Sequence, residues 1–213
     1  MTQSPMKPAI TLSIGIFILL SSCMSEKAVI KKYYVIEIPT LPADIALTGG
    51  EVINGTCEIE PIEINTVIDR NQIVNRSQSN EIIYYQNHQW AVRPSVSIME
   101  LVSTFLEHSA IFEGVSTRFS RIVPDYRLNT FVKQLEVIES KKSFSAHLEV
   151  EFRLLRNADS EIIVKYQADR TRPLEENDLN LFAAEISNIL ASELQNFTTR
   201  IVEQRSDFES GVQ

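Results

Sequence analysis

The sequence predicts one α/β sandwich, in which a mixed, largely antiparallel β-sheet packs against two α-helices. Three observations predict it. Between Ser143 and Leu155, the residues Ala146, Leu148, Val150, Phe152 and Leu154 alternate with His147, Glu149, Glu151 and Arg153. That is the period of a strand with one buried and one wet face. Two other segments carry apolar residues at the helical period: Ile98, Leu101, Val102, Phe105 and Leu106, then Leu179, Phe182, Ala183, Ile186, Leu190, Leu194 and Phe197. The elements come in the order strands, helix, strands, helix, which buries itself best as one twisted sheet with both helices on a face.

Taken in order, Tyr33 to Ile38 is rich in strand formers and stops at Pro39. Pro39 to Gly55 reads as a loop, and Glu58 to Val67 as a second strand. Ile73-Val74 and Ile82 to Tyr85 outline a hairpin around the polar Asn75 to Asn80. Ser97-Ile98-Met99-Glu100 has the form of a capping box opening the first helix, whose region Gly114 ends. Tyr126 to Ile138, Ser143 to Leu155 and Ile162 to Ala168 form a meander, turning at Ser140-Lys141-Lys142 and Asn157 to Ser160. Pro173 precedes the second helix, and Glu175, Glu176 and Asp178 place negative charge where its dipole favours it.

The first 23 residues carry the strongest functional signal. Lys7 is followed by an uncharged run from Ala9 to Leu20. A membrane-spanning helix needs about 20 apolar residues, so this run is too short to span. It has the length of a signal-peptide core. Leu20-Ser21-Ser22-Cys23 then resembles a lipobox: an aliphatic residue, two small ones and a cysteine. The Cys23 thiol would accept diacylglycerol, and its amine, freed by cleavage, a further acyl chain such as palmitate. Two or three chains anchor stably where one binds marginally. Met24 follows, where an aspartate resembles an inner-membrane retention signal, so the expected address is the periplasmic face of the outer membrane. The expected organisation is a signal peptide over 1–22, a lipidated tether over 23–32, a domain over 33–204 and a frayed tail over 205–213.

Composition narrows the rest. A formal net charge of -8 disfavours phosphate-backbone binding, so no nucleic-acid partner is expected. With Cys23 lipidated, the second of the two cysteines, Cys57, cannot form an internal disulfide and reads as a small buried residue at a strand start. No nucleophile elbow, Walker pattern, zinc-protease helix or paired-cysteine motif is present, so neither an enzyme nor a cofactor is expected. The three histidines, His88, His108 and His147, lack metal-ligand spacing. Glu58, Glu60 and Glu63 read as the solvated side of a strand. Trp90, Tyr84 and Tyr85 are candidate partner or lipid contacts, or else pack the hairpin onto the core.

An ordered set of features resembles the ABC-type transport auxiliary lipoproteins, the PqiC/YmbA-like group. It comprises the lipobox, Tyr33-Tyr34-Val35, Ile59 to Ile64, Asp69-Arg70 with Ile82 to Tyr85, Trp90-Ala91, Asp125-Tyr126-Arg127-Leu128 and Ala183-Ala184. The longer loop from Thr40 to Gly55 departs from that pattern. The resemblance implies a periplasmic accessory component, not an enzyme. It would dock an MCE-domain protein and its inner-membrane ABC permease and ATPase, which move phospholipid or another hydrophobic molecule between membranes. Homo-oligomeric rings are compatible with the same resemblance. The alternatives are another envelope-assembly lipoprotein, serving lipopolysaccharide or secretion machinery, and a lipid-anchored hydrolase, which would need a nucleophile beside a base.

Overall fold

The computed structural model describes residues 29–38, 52–78, 80–140 and 143–206. In chain order the elements are β1 (Lys32–Tyr34), β2 (Ile53–Ile59), β3 (Glu63–Ile64), β4 (Gln72–Gln78), β5 (Glu81–Trp90), α1 (Pro94–Ser109), β6 (Phe112–Ser116), β7 (Tyr126–Glu139), β8 (Phe144–Arg156), β9 (Ile162–Pro173) and α2 (Leu179–Glu203). The expected signal peptide, the first six residues of the expected tether, residues 39–51, Ser79, Lys141-Lys142 and the expected tail from Asp207 lie outside the described residues.

Strand β7 organises the sheet. Along one edge it runs antiparallel to β8, from Tyr126 opposite Arg156 to Glu139 opposite Phe144. Strand β9 continues the meander on the far side of β8. The other edge of β7 receives three short strands in succession, all parallel. Cys57–Ile59 pair with Tyr126–Leu128, Glu63–Ile64 with Phe131–Val132, and Asn75–Arg76 with Val137–Ile138. Pro61, which has no N–H to give a ladder, separates the first two. Strand β6 extends the sheet beyond β2, and β5 then β1 extend it beyond β4.

One face of this sheet carries the core. Ala146, Leu148, Val150, Phe152 and Leu154 of β8 are all buried, as the alternation predicts. Both helical stripes are buried too: Ile98, Leu101, Val102, Phe105 and Leu106 on α1, and Leu179, Phe182, Ala183, Ile186, Leu190, Leu194 and Phe197 on α2. Phe197 stacks on Phe152 with ring centroids 5.2 Å apart, and Phe182 meets Trp90 at 5.8 Å. Each such side chain contributes about 1.5–3 kcal/mol by leaving water.

The differences from the sequence reading have physical causes. Helix α1 starts at Pro94, whose missing N–H costs nothing in a first turn. Ser97 is therefore inside the helix and buried, and Ser97-Ile98-Met99-Glu100 is not a capping box. The cap comes from a distant residue: Asp69 Oδ1 accepts the Ser95 N–H at 3.1 Å. Ala110, in the left-handed conformation at φ 50°, ends the helix, and Gly114 lies within β6. Strand β2 begins at Ile53, inside the expected loop, and the strand expected over 58–67 is broken into β2 and β3. Only Tyr34 and its two predecessors pair in β1, although Ile36 stays buried beyond it.

Candidate functional site

The hairpin of β4 and β5 positions the three aromatic residues singled out by the sequence, and sends them to three different places. Its ladder is irregular. Val74 faces Tyr84, but Gln72 faces Gln89, so β5 holds extra residues between these pairs. A bulge of this kind re-aims side chains. Tyr85 and His88, which strict alternation would put on opposite faces, here meet edge to face with centroids 5.9 Å apart.

Trp90 does not face outward. It is 1% exposed and fills the core beneath α2. Its backbone N–H donates to Asn71 O at 2.6 Å, while its buried Nε1 has no hydrogen-bond partner. Tyr84 lies under the Arg70 guanidinium, 4.3 Å from the ring centroid, with its hydroxyl 3.4 Å from Val67 O. Ile83, the preceding residue on the opposite face of the strand, is 46% exposed.

Tyr85 lines a cleft of about 470 Å³ where β1, the end of β7, the start of β8 and the approach to α2 converge. The Tyr34 hydroxyl and His88 Nδ1 are hydrogen-bonded at 2.7 Å, with the ring planes nearly parallel. The Tyr85 hydroxyl donates to Glu139 Oε2 at 3.0 Å, and the buried Asn75 amide donates to both Tyr85 and Glu139. Burial, and then the hydrogen bond to Glu139, push the Tyr85 hydroxyl well above its ordinary pKa, so it stays protonated and donating. Lys32, Glu176 and Asp178 complete the polar rim. Sequence reasoning found Tyr85 but not its neighbours, because the bulge that gathers them leaves no mark in hydrophobic period.

The sheet face away from the helices is charged, and the charges are paired. Glu136, 1% exposed, takes Arg76 Nε at 2.7 Å and His147 Nδ1 at 3.3 Å. The other nitrogen of His147 meets Asp169 at 2.9 Å. Burial alone would push the Glu151 carboxyl up, but Arg153, Lys133 and Lys165 outweigh it and hold the pKa down to about 2. The described residues contain no cluster arranged to hold a metal ion. Cys57 is fully buried, and burial raises its thiol far above the ordinary value, which keeps it from being a nucleophile.

Several of the family-like positions have structural work. Asp69 caps α1. The Ala91 N–H donates to Tyr34 O at 2.7 Å, tying β1 to the end of β5. Asp125 Oδ2 accepts the Thr56 N–H at 2.8 Å and the Thr56 hydroxyl at 3.1 Å, latching β2 to the start of β7. Gly55, at φ +119°, lets Asp125 approach: a Cβ there would sit 2.8 Å from its Oδ2.

Among the described residues, no helix is long and apolar enough to cross a membrane. Comparison of the sequence with curated proteins gives no match. Among solved structures, a Xanthomonas campestris protein of the DUF330 family superposes with a TM-score of 0.70 at 19% identity, covering 83% of this chain and 98% of its own. The crystal structure of an uncharacterized protein does so with a TM-score of 0.63 at 12% identity, covering 81% of this chain and 99% of its own. At these identities the likeness shows the fold alone. A family model described as "ABC-type transport auxiliary lipoprotein component" matches residues 40–196, which contain β2 to β9, α1 and most of α2. The chain belongs to the ABC-type transport auxiliary lipoprotein family, whose members are accessory components of ABC transport.

Proposed function

We propose that this protein is the lipid-anchored docking component of an MCE-type ABC transport system that moves phospholipid or another hydrophobic molecule between the two membranes. The observation that carries this reading is the family match over residues 40–196, joined to a lipobox-like Leu20-Ser21-Ser22-Cys23 at the end of a short apolar leader. Cys23 carries the lipid in this reading, and Met24 directs the chain to the periplasmic face of the outer membrane. The domain over 33–204 then faces an MCE-domain protein that bridges to the permease and ATPase. The outer surface of the hairpin, where Ile83 is 46% exposed, is the partner contact. An exposed aliphatic side chain there offers apolar area for a partner to cover.

Affinity recovery of the lipidated protein from detergent-solubilised envelopes tests this, with bound proteins identified by mass spectrometry. The expected result is an MCE-domain protein with its permease and ATPase. Recovery of lipopolysaccharide or secretion components without an MCE protein would overturn it in favour of another envelope-assembly role. The Cys23→Ala variant should move from the membrane to the soluble periplasmic fraction.

A further inference from the structure

We propose that the cleft between β1, β5 and the first turn of α2 binds the zwitterionic headgroup of a phospholipid carrying an ammonium group. The inference rests on the lipid-handling role proposed above and names the chemistry that role requires at one place.

Three features of the cleft select this ligand. The first is aromatic. Tyr34, Tyr85 and His88 form a connected set of rings along one wall, with centroid spacings of 5.8 Å and 5.9 Å. Aromatic rings favour ammonium groups electrostatically and shed the water around their methylenes. The second is anionic. Glu139, Glu176 and Asp178 all line the cleft. Glu139 accepts only neutral donors, Asn75 and Tyr85, and Asp178 accepts the Asn180 N–H of the helix cap. Among the described residues, none of the three forms an ion pair. The third is cationic and lies in the same cavity. Lys32 lines it without pairing to any of those carboxylates. A lysine ammonium suits a phosphodiester.

A purely acidic pocket would repel the phosphate, and a purely basic one the ammonium. Both signs of charge here sit within about 470 Å³, within the size range of small-molecule sites. The site is also held in shape before any ligand arrives. The Tyr34–His88 bond fixes one pair of rings, and Asn75 fixes Tyr85 and Glu139 from behind. Its position suits the ligand as well. Lys32 follows Cys23 by at most about 30 Å of extended chain, so the cleft cannot stray far from a bilayer that holds the Cys23 lipid.

The test uses the mature lipidated protein in detergent, titrated with sn-glycero-3-phosphoethanolamine and followed by nuclear magnetic resonance of the His88 ring. Saturable shifts are expected, with glycerophosphoglycerol, which lacks the ammonium, at least 10-fold weaker. Glu176→Gln should weaken phosphoethanolamine binding several-fold. Glu176 is exposed, and among the described residues its side chain makes no hydrogen bond or ion pair, so this variant keeps its fold. The Glu139→Gln/Glu176→Gln pair should weaken binding at least 10-fold. Equal affinity for both headgroups, or binding unchanged in the variants, would overturn the proposal. So would tighter binding of a lysine-containing peptide, which would assign the ammonium to a protein partner. Failure here with the MCE partner still recovered from envelopes removes the headgroup site alone and leaves the docking role standing.

Discussion

From Tyr126 to Glu203 the protein is held together mainly by neighbours in sequence; before Tyr126, largely by distant ones. The meander of β7, β8 and β9 pairs each strand with the next, and α2 returns onto it through Phe197 and Phe152. The first half instead attaches β2, β3 and β4 one after another to a single edge of β7, each through two or three parallel pairs. Local pairing needs little loop closure, whereas parallel pairing across long stretches of chain costs entropy that side-chain latches must offset. The latches are visible: Asp125 on Thr56, Asp69 on the start of α1, and Trp90 in the core. The comparison also locates function. The irregular half, with its bulge, supplies the aromatic wall of the cleft, Tyr34, Tyr85 and His88, and the regular half supplies its carboxylates, Glu139, Glu176 and Asp178.

Breaking the latches in turn tests that contrast. Trp90→Ala should have the largest effect, about 3–5 kcal/mol in denaturant unfolding, because it empties the site that joins the hairpin to α2. Trp90→Phe should cost less than half as much, since the buried Nε1 has no partner to lose. Gly55→Ala should cost about 2 kcal/mol, from a left-handed backbone and a Cβ pressed against Asp125. Asp69→Ala should cost about 1 kcal/mol, the usual worth of a helix cap.

The smallest effect belongs to the regular half and depends on pH. The hydrogen bond that His147 donates to Glu136 raises its pKa, burial opposes the rise, and Asp169 adds to it. A raised histidine pKa stabilises the fold fully below the ordinary value, and that contribution is lost as pH climbs through the folded value. The thermal midpoint should therefore fall by about 2 °C more between pH 6 and pH 8 in the natural protein than in His147→Gln. Glu136 itself titrates in the opposite window: its pKa is lowered despite burial, so its contribution is lost only on acidification. The two are separable in one pH series.

The same contrast explains what could be read from sequence. The meander and α2 were legible because alternation and helical period are local, and each strand's partner is its neighbour. Strand β6 and the early start of β2 were not. Phe112 to Ser116 and Ile53 to Cys57 are mixed in polarity, and they become strands through parallel pairing with each other. The cap of α1 was misread because Ser97 and Glu100 match a pattern that Pro94 pre-empts, while the working cap, Asp69, is far away in the chain. Of the cleft, Tyr85 was legible as an unusual aromatic. Tyr34, His88 and Glu139 were not, since nothing in their spacing announces a bulge or a strand crossing. Trp90 drew notice for the right reason, its size, and turned out to spend that size on the core.

The most direct measurement of the central claim is photo-crosslinking in living cells from position 83, on the exposed side of the hairpin, with position 165 on β9 as the comparison. The account predicts that position 83 crosslinks to an MCE-domain protein and that position 165 does so far less. A crosslink from position 83 to lipopolysaccharide or secretion components, or MCE crosslinks from position 165 alone, would contradict it.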